Sequence, residues 1–258
     1  VVFFASMSRT NMSKIALIIP TRLDAKRLPN KPLKLINNKE MILHVYDLAK
    51  KSRVDEVLVA TPDEAIAQKI KNKGGKAIIT KTSHQTGTDR IYEVFKNELK
   101  GEPDFIINLQ GDMPNLDPSA INYLVDHIKK KNCDIATLAS KLDNEKDKSD
   151  RNVVKVSTKE KIIKNDKFSA ALDFSRVIEN NISNFIYHHI GIYAFTNKAL
   201  LRYVSLERTK LETERGLEQL RALENKMKID VGYVDQSPLS VDTENDLIEI
   251  KKLMERNV

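Results

Sequence analysis

Ile15-Ala16-Leu17-Ile18-Ile19-Pro20-Thr21-Arg22-Leu23-Asp24-Ala25-Lys26-Arg27-Leu28-Pro29-Asn30-Lys31-Pro32 is the stretch that decides the architecture. Its first five residues are apolar without alternation, the pattern of a strand buried on both faces of a parallel sheet. The run stops at Pro20. Four cations, Arg22, Lys26, Arg27 and Lys31, then fall on a loop that prolines hold away from helix. A triphosphate carries about four negative charges, and guanidinium forks and ammonium points suit its oxygens. Neither GxGxxG nor GxxxxGK(S/T) occurs, which disfavours a dinucleotide fold and a P-loop and leaves phosphates to side chains and loop amides.

Further along, Val57–Ala60, Ala77–Ile79 and Phe105–Leu109 repeat the buried-strand pattern. Amphipathic stretches alternate with them: Met41–Lys51, Asp63–Lys73, Asp89–Leu99 and Pro118–Lys131. Thr61-Pro62-Asp63-Glu64 predicts a helix start with Thr61 as N-cap, and Asp117-Pro118 predicts another. Thr243-Glu244-Asn245-Asp246 opens the last helix similarly. Strand–helix repetition implies right-handed crossovers and an α/β fold, a doubly wound, mostly parallel sheet with helices on both faces. Ligands of such sheets lie beyond the carboxyl ends of the strands, so the loops after Ile19, Thr80 and Leu109 are where chemistry is expected.

After about residue 134 the texture changes. Asp134–Leu142, Val153–Thr158, Phe168–Phe174 and Tyr187–Phe195 are strand-like, with no long helix between the middle pairs, and predict an antiparallel lobe or dimerisation surface. The charged stretch Asp143–Asp150 reads as a loop. A helix near Leu217–Lys226, a strand at Ile229–Val234 and a helix at Thr243–Arg256 close the chain. The expected organisation is a disordered extension over 1–13 and one domain over 14–258. Within that domain 14–133 form a nucleotide-binding core, about 134–200 a smaller lobe, and 201–258 return to the core.

The chain has 258 residues, 41% hydrophobic and 31% charged, enough for a packed core. No apolar run approaches the roughly 20 residues of a membrane span, and Val1–Ala5 is too short for a signal-peptide core. A single cysteine, Cys133, excludes an internal disulfide and a cysteine-rich zinc site, and points to a cytoplasmic protein. The net charge of +7 favours anionic partners. The lysines are dispersed without aromatic interleaving, which fits a solvated surface and a small polyanion better than a nucleic-acid groove.

Two carboxylates stand out. In Ile107-Asn108-Leu109-Gln110-Gly111-Asp112 a buried strand runs straight into a turn that delivers Asp112 at its carboxyl edge. Mg²⁺ typically takes one or two carboxylates together with substrate phosphates. Asp242, in Val241-Asp242-Thr243, precedes a helix start and is a second candidate, though a capping role suits it alone. His44 reads as a packed or surface residue, His188 as pointing to the face opposite His189, and Cys133 as a small buried residue rather than a nucleophile.

Several motifs together carry a resemblance. PTRLDAKRLPNKP (20–32) is followed by HQTGTDR (84–90), INLQGD (107–112), NVVKV (152–156), FSR (174–176), HIGIYAF (189–195), LEQLR (217–221) and VDTENDL (241–247). In order and spacing they are similar to the 3-deoxy-manno-octulosonate cytidylyltransferases, over residues 14–256. The resemblance implies a nucleotide-diphospho-sugar transferase type fold, a homodimer, and transfer of CMP from CTP to 3-deoxy-D-manno-octulosonate (Kdo) for lipopolysaccharide synthesis, with Mg²⁺ as cofactor. It implies that Arg22 and Lys31 bind the triphosphate, that Gln110 and Arg90 contact the nucleotide, and that Asp112 and Asp242 bind the metal. Asp112, Asp242, Lys31 and Arg22 are thereby the catalytic set, and Asp112 also touches CTP. Arg27, His189, Tyr193, Glu218 and Gln219 are implied as the sugar-binding set. Met113, Ala25, Asn30, Asp173 and Val177-Ile178-Glu179 depart from the family pattern. The alternatives are a cytidylyltransferase for a related acidic sugar (amino-Kdo or sialic type) and a nucleic-acid-binding module, the latter with steep salt dependence.

Overall fold

In the computed structural model, which describes residues 13–25, 27–130, 132–142, 145–164, 167–178 and 183–255, the opening apolar run is a strand buried at every position, β1 (Ile15–Pro20). A short hairpin follows, β2 (Leu35–Ile36) and β3 (Lys39–Glu40), and leads into α1 (Met41–Lys50). Then come β4 (Glu56–Thr61), α2 (Glu64–Asn72), β5 (Lys76–Ile79), α3 (Gly87–Asn97), β6 (Phe105–Leu109) and α4 (Pro118–Ile128). The second half adds β7 (Ile135–Ser140), α5 (Glu145–Ser149), β8 (Lys155–Thr158), β9 (Ser169–Ser175) and β10 (Ile186–Thr196). It closes with α6 (Asn197–Ser205), α7 (Lys210–Arg215), α8 (Gln219–Glu224), β11 (Ile229–Tyr233) and α9 (Glu244–Glu255). The extension expected over 1–13 lies, but for Ser13, outside the described residues, as does Lys26.

Nine strands form one sheet in the order β5-β4-β1-β6-β10-β7-β11-β9-β8, and β8 also pairs with β10. β5, β4, β1 and β6 are mutually parallel and β7 pairs parallel with β11, whereas β10 and β9 run against their neighbours. The expected α/β sheet with mostly parallel strands is therefore present. Residues 134–200, expected as a smaller lobe, supply β7 to β10, and these continue the same sheet rather than starting a second one.

The alternation of β1 divides the interior into two layers. Ile15, Leu17 and Ile19 pack with Ile42, Val45, Ile66 and Ile121 from α1, α2 and α4. Ala16 and Ile18 face the other way, toward Ile91, Val94, Leu200 and Leu220 from α3, α6 and α8. Burial of each such Leu or Ile contributes about 2 kcal/mol, so an unalternating apolar strand is stable only between two helical layers. Leu247 and Ile250 of α9 form a third cluster with Leu28, Ile36, Met41 and Val241, which docks the chain's last helix beside the loop after β1.

Capping chemistry sets the helix starts. The Asp117 carboxylate accepts from the Ser119 amide at α4, Thr86 caps α3, and Thr243 accepts from the Asp246 amide at α9. α2 differs from expectation. Its N-cap is Asp63, whose carboxylate accepts instead from the Leu23 amide at 2.8 Å, while the Thr61 hydroxyl accepts from the Asp63 amide. Asp63 thus ties the loop after β1 to the start of α2. The segment read as a loop over 143–150 contains the one-turn helix α5, whose Ser149 hydroxyl donates to carbonyls of the preceding turn. No helix among the described residues is long and apolar enough to cross a membrane.

Candidate active site

The loops after β1 and β6 meet because glycines let them. A Cβ on Gly111 would lie 3.2 Å from the Thr21 Cβ, and one on Gly87 would meet Pro20 at 3.2 Å and Gln110 at 3.3 Å. Two adjoining clefts of about 370 Å³ each open there, at the carboxyl ends of the strands. Arg22, Lys31, Arg90, Gln110, Asp112 and Asp242 line the first. Arg27, His189, Tyr193, Glu218 and Gln219 line the second. Arg27, Gln110, Asp112 and Asp242 border both, so the two sets implied by the sequence sit side by side with a shared wall.

The wall is built around one ammonium group. Lys31 Nζ lies 2.9 Å from Asp112 Oδ2 and 3.0 Å from Asp242 Oδ1. The other Asp242 oxygen faces Arg27 Nη2 at 3.0 Å, and Arg27 Nη1 donates to Asn152 at 2.7 Å. Burial works against the Lys31 charge, but the two carboxylates outweigh it and hold the ammonium above its ordinary pKa. Backbone geometry brings the acids together, since the Val241 amide donates to the Asp112 carbonyl at 2.9 Å. Asn30, just before Lys31, sits in the left-handed region with φ 56°, which asparagine tolerates and which turns the chain so that Lys31 points inward.

Arg22 and Arg90 supply a second positive region. Arg90 is almost fully buried and donates to the Thr80 hydroxyl and the Lys81 carbonyl. Burial, and then the neighbouring Arg22 charge, lower its pKa. Two guanidinium groups held this close favour an anion between or beside them. Arg22 has no hydrogen bond or ion pair among the described residues and is free to take one. Gln110 is steadied by Asn108, which in turn reaches Thr88.

The second cleft holds buried polar groups whose charged forms burial disfavours. Burial pushes the His189 pKa down to about 3. Thr137 donates its hydroxyl to the Ile192 carbonyl at 2.7 Å, so it accepts from His189 Nε2 at 3.0 Å, which leaves Nδ1 as the acceptor. Burial raises Tyr193 well above its usual range, so it remains a phenol. Burial also raises the Glu218 carboxyl, which lies against the Thr86 and Thr88 hydroxyls, and its Oε2 has no hydrogen-bond partner. A buried carboxyl oxygen of this kind gains by meeting a ligand hydroxyl.

Residues without an assigned role in the motifs prove to position this cleft. Arg221, at the end of LEQLR, forms a bidentate pair with Glu212 at 2.7 and 2.9 Å and lies over the Tyr203 ring at 4.6 Å. Tyr203 donates to the Glu218 carbonyl at 2.8 Å. Asp173, a departure from the family pattern, binds Arg215 at 2.8 Å and so braces the turn at Gly216 beside Glu218. Arg176 of FSR and Asn152 of NVVKV line the second cleft, and their presence in quoted motifs was the signal for them. His188, expected on the opposite face, also borders this cleft. Cys133 lines neither cleft, and burial pushes its thiol up to about 12.

The chain is similar to known proteins over most of its length. The cytidylyltransferase family profile matches residues 16–229. A 3-deoxy-manno-octulosonate cytidylyltransferase of Bartonella bacilliformis is 39% identical over 242 residues, 93% of this chain and 98% of that protein. Its counterpart in Brucella canis is 41% identical over 91% of this chain and 93% of its own length. The solved structure of CMP:2-keto-3-deoxy-manno-octonic acid synthetase complexed with CTP superposes with a TM-score of 0.85 at 34% identity, over 95% of this chain and 100% of that one. A 4-diphosphocytidyl-2C-methyl-D-erythritol synthase from Anaerococcus prevotii, at 17% identity and a TM-score of 0.61, shares the fold alone.

Proposed function

The chain belongs to the 3-deoxy-manno-octulosonate cytidylyltransferase family, and from that membership we propose how its two clefts divide the reaction. The enzyme activates Kdo with CTP, giving CMP-Kdo and pyrophosphate. One observation carries the division of labour: two carboxylates 130 residues apart in sequence, Asp112 and Asp242, converge on the Lys31 ammonium where the clefts join.

The first cleft takes CTP. Arg22 and Lys31 face the β- and γ-phosphates, with Arg90 shaping the pocket and Gln110 contacting the nucleotide. The second cleft takes the sugar, its carboxylate drawn by Arg27 and Arg176 and its hydroxyls met by His189 Nδ1, Tyr193, Glu218 and Gln219. The anomeric hydroxyl is then placed against the α-phosphorus. A new P–O bond forms there as the bond from the α-phosphorus to the bridging oxygen breaks; pyrophosphate leaves and the hydroxyl proton passes to solvent. Positioning and charge neutralisation dominate such a transfer.

Asp112 and Asp242 offer hard carboxylate oxygens at one point, within reach of a common cation, and this donor set suits Mg²⁺. When bound there, the ion supplies Lewis-acid stabilisation of charge on the phosphate. Lys31 and Arg22 offset the charge that develops on the departing pyrophosphate. Each preorganised contact of this sort contributes about 3 kcal/mol.

Steady-state pyrophosphate release from CTP and Kdo tests the assignment. Asp112→Asn and Asp242→Asn each lower kcat at least about a hundredfold while the thermal midpoint stays near wild type. Wild-type turnover in both variants removes the metal assignment.

A further inference from the structure

At the end of the sheet opposite the clefts, one group among the described residues gathers three metal-binding donors. The His127 ring, Cys133 Sγ and an Asp230 carboxylate oxygen all lie within 4.8 Å of one another. We propose that these residues form a second cation site, selective for a soft divalent ion of the zinc class, which ties α4 to the entries of β7 and β11.

Placement supports this. His127 lies in the last turn of α4, Cys133 two residues before β7, and Asp230 is the second residue of β11, opposite Ala136 of β7. Cys133 and Asp230 are buried, and His127 Nε2 already points at Asp230 Oδ2 at 2.9 Å. The ring is held from behind. Phe168 stacks on His127 with centroids 3.6 Å apart and planes 8° from parallel, and Tyr123 packs against Phe168 at 4.8 Å. Phe168 can lie there because Gly232 has no side chain, since a Cβ on it would come within 2.4 Å of the ring. The imidazole is thus fixed before any ion arrives, as preorganised metal ligands are.

The donor chemistry selects the ion. Nitrogen, sulfur and carboxylate oxygen suit Zn²⁺, whereas Mg²⁺ and Ca²⁺ take oxygen throughout. A thiolate and a carboxylate balance the dication, and water completes a tetrahedral set. Among the described residues, the other charged groups facing the site are Lys228, whose Nζ lies 3.7 Å from Asp230 Oδ1, and Asp134, which accepts from the Lys228 amide. Binding replaces the thiol proton with the ion. The competing arrangement is a purely hydrogen-bonded trio in which the thiol and the imidazole both donate to Asp230.

Cobalt titration of the chelator-treated full chain separates the two. The sequence contains one cysteine, so any thiolate-to-cobalt charge-transfer band has a single source. One equivalent of Co²⁺ should produce that near-ultraviolet band, and one equivalent of Zn²⁺ should abolish it. Asp112→Asn should retain it at full intensity, because the catalytic carboxylates are not involved. His127→Ala should weaken Co²⁺ affinity at least about tenfold. No thiolate band in the wild-type protein, or a band lost in Asp112→Asn, overturns the site. An affinity unchanged by His127→Ala overturns the assigned ligands.

Discussion

Asp112 and Asp242 show how little a single residue reveals. Each stands in a local setting, a turn and a helix approach, where an aspartate can serve structure alone. Their convergence on Lys31 changes the reading, because two acids held within 3.0 Å of one ammonium mark a place built for positive charge. His189 allows a sharper check. Its folded pKa, about 3, lies below the ordinary value of 6.5, so the unfolded chain takes up a proton on acidification that the native protein refuses. Its contribution to stability is therefore complete above 6.5 and is lost as pH falls toward 3, at about 1.4 kcal/mol per pH unit well below 6.5. Between pH 6 and 5, urea unfolding of His189→Gln should lose stability more slowly than wild type by that amount. Equal slopes would mean that His189 is not buried neutral.

Among the elements, the α7–α8 pair connects packing to specificity. The Thr209 capping box starts α7, Gly216 ends it at φ 63°, and LEQLR begins at once, so the whole turn depends on local chemistry. An ion pair between Glu212 and Arg221 then clamps the two helices to each other. Burial works against the Glu212 charge, but the Arg221 guanidinium outweighs that and holds the carboxyl below its usual range. Arg221→Met leaves this buried carboxylate only the Arg208 guanidinium and the Thr209 amide and should cost about 3 kcal/mol of stability, read from denaturant unfolding. Because Tyr203 and Arg221 together seat Glu218, the same variant should raise KM for the sugar at least tenfold while KM for CTP changes less than twofold. Parallel loss of CTP affinity would mean that the two clefts are not separable. Neither α6 nor α7 was foreseen from the sequence.

For the molecule as a whole, the first cleft exists only when the loops after β1, β5 and β6 and the approach to α9 are assembled. CTP therefore binds the folded chain alone and stabilises it by mass action, about 2.7 kcal/mol at a hundredfold excess over Kd. Arg22→Ala should leave the ligand-free midpoint unchanged, since Arg22 has no partner among the described residues, yet shrink the CTP-induced shift at the same nucleotide concentration. An undiminished shift would take Arg22 out of the triphosphate site. Much of this assembly was legible beforehand. Apolar runs without alternation mark strands covered on both faces, and capping residues mark helix starts, because burial and local hydrogen bonding act over a few residues. Ile15–Ile19 and Phe105–Leu109 disclosed β1 and β6 in this way, and the motif series disclosed the family. Other features were decided only by tertiary structure: the insertion of antiparallel β10 between β6 and β7, the diversion of Asp63 from capping to anchoring the cation loop, and the docking of α9 that carries Asp242 to Asp112. These depend on which distant surfaces bury one another, and a local pattern records that a face is apolar without recording what will cover it.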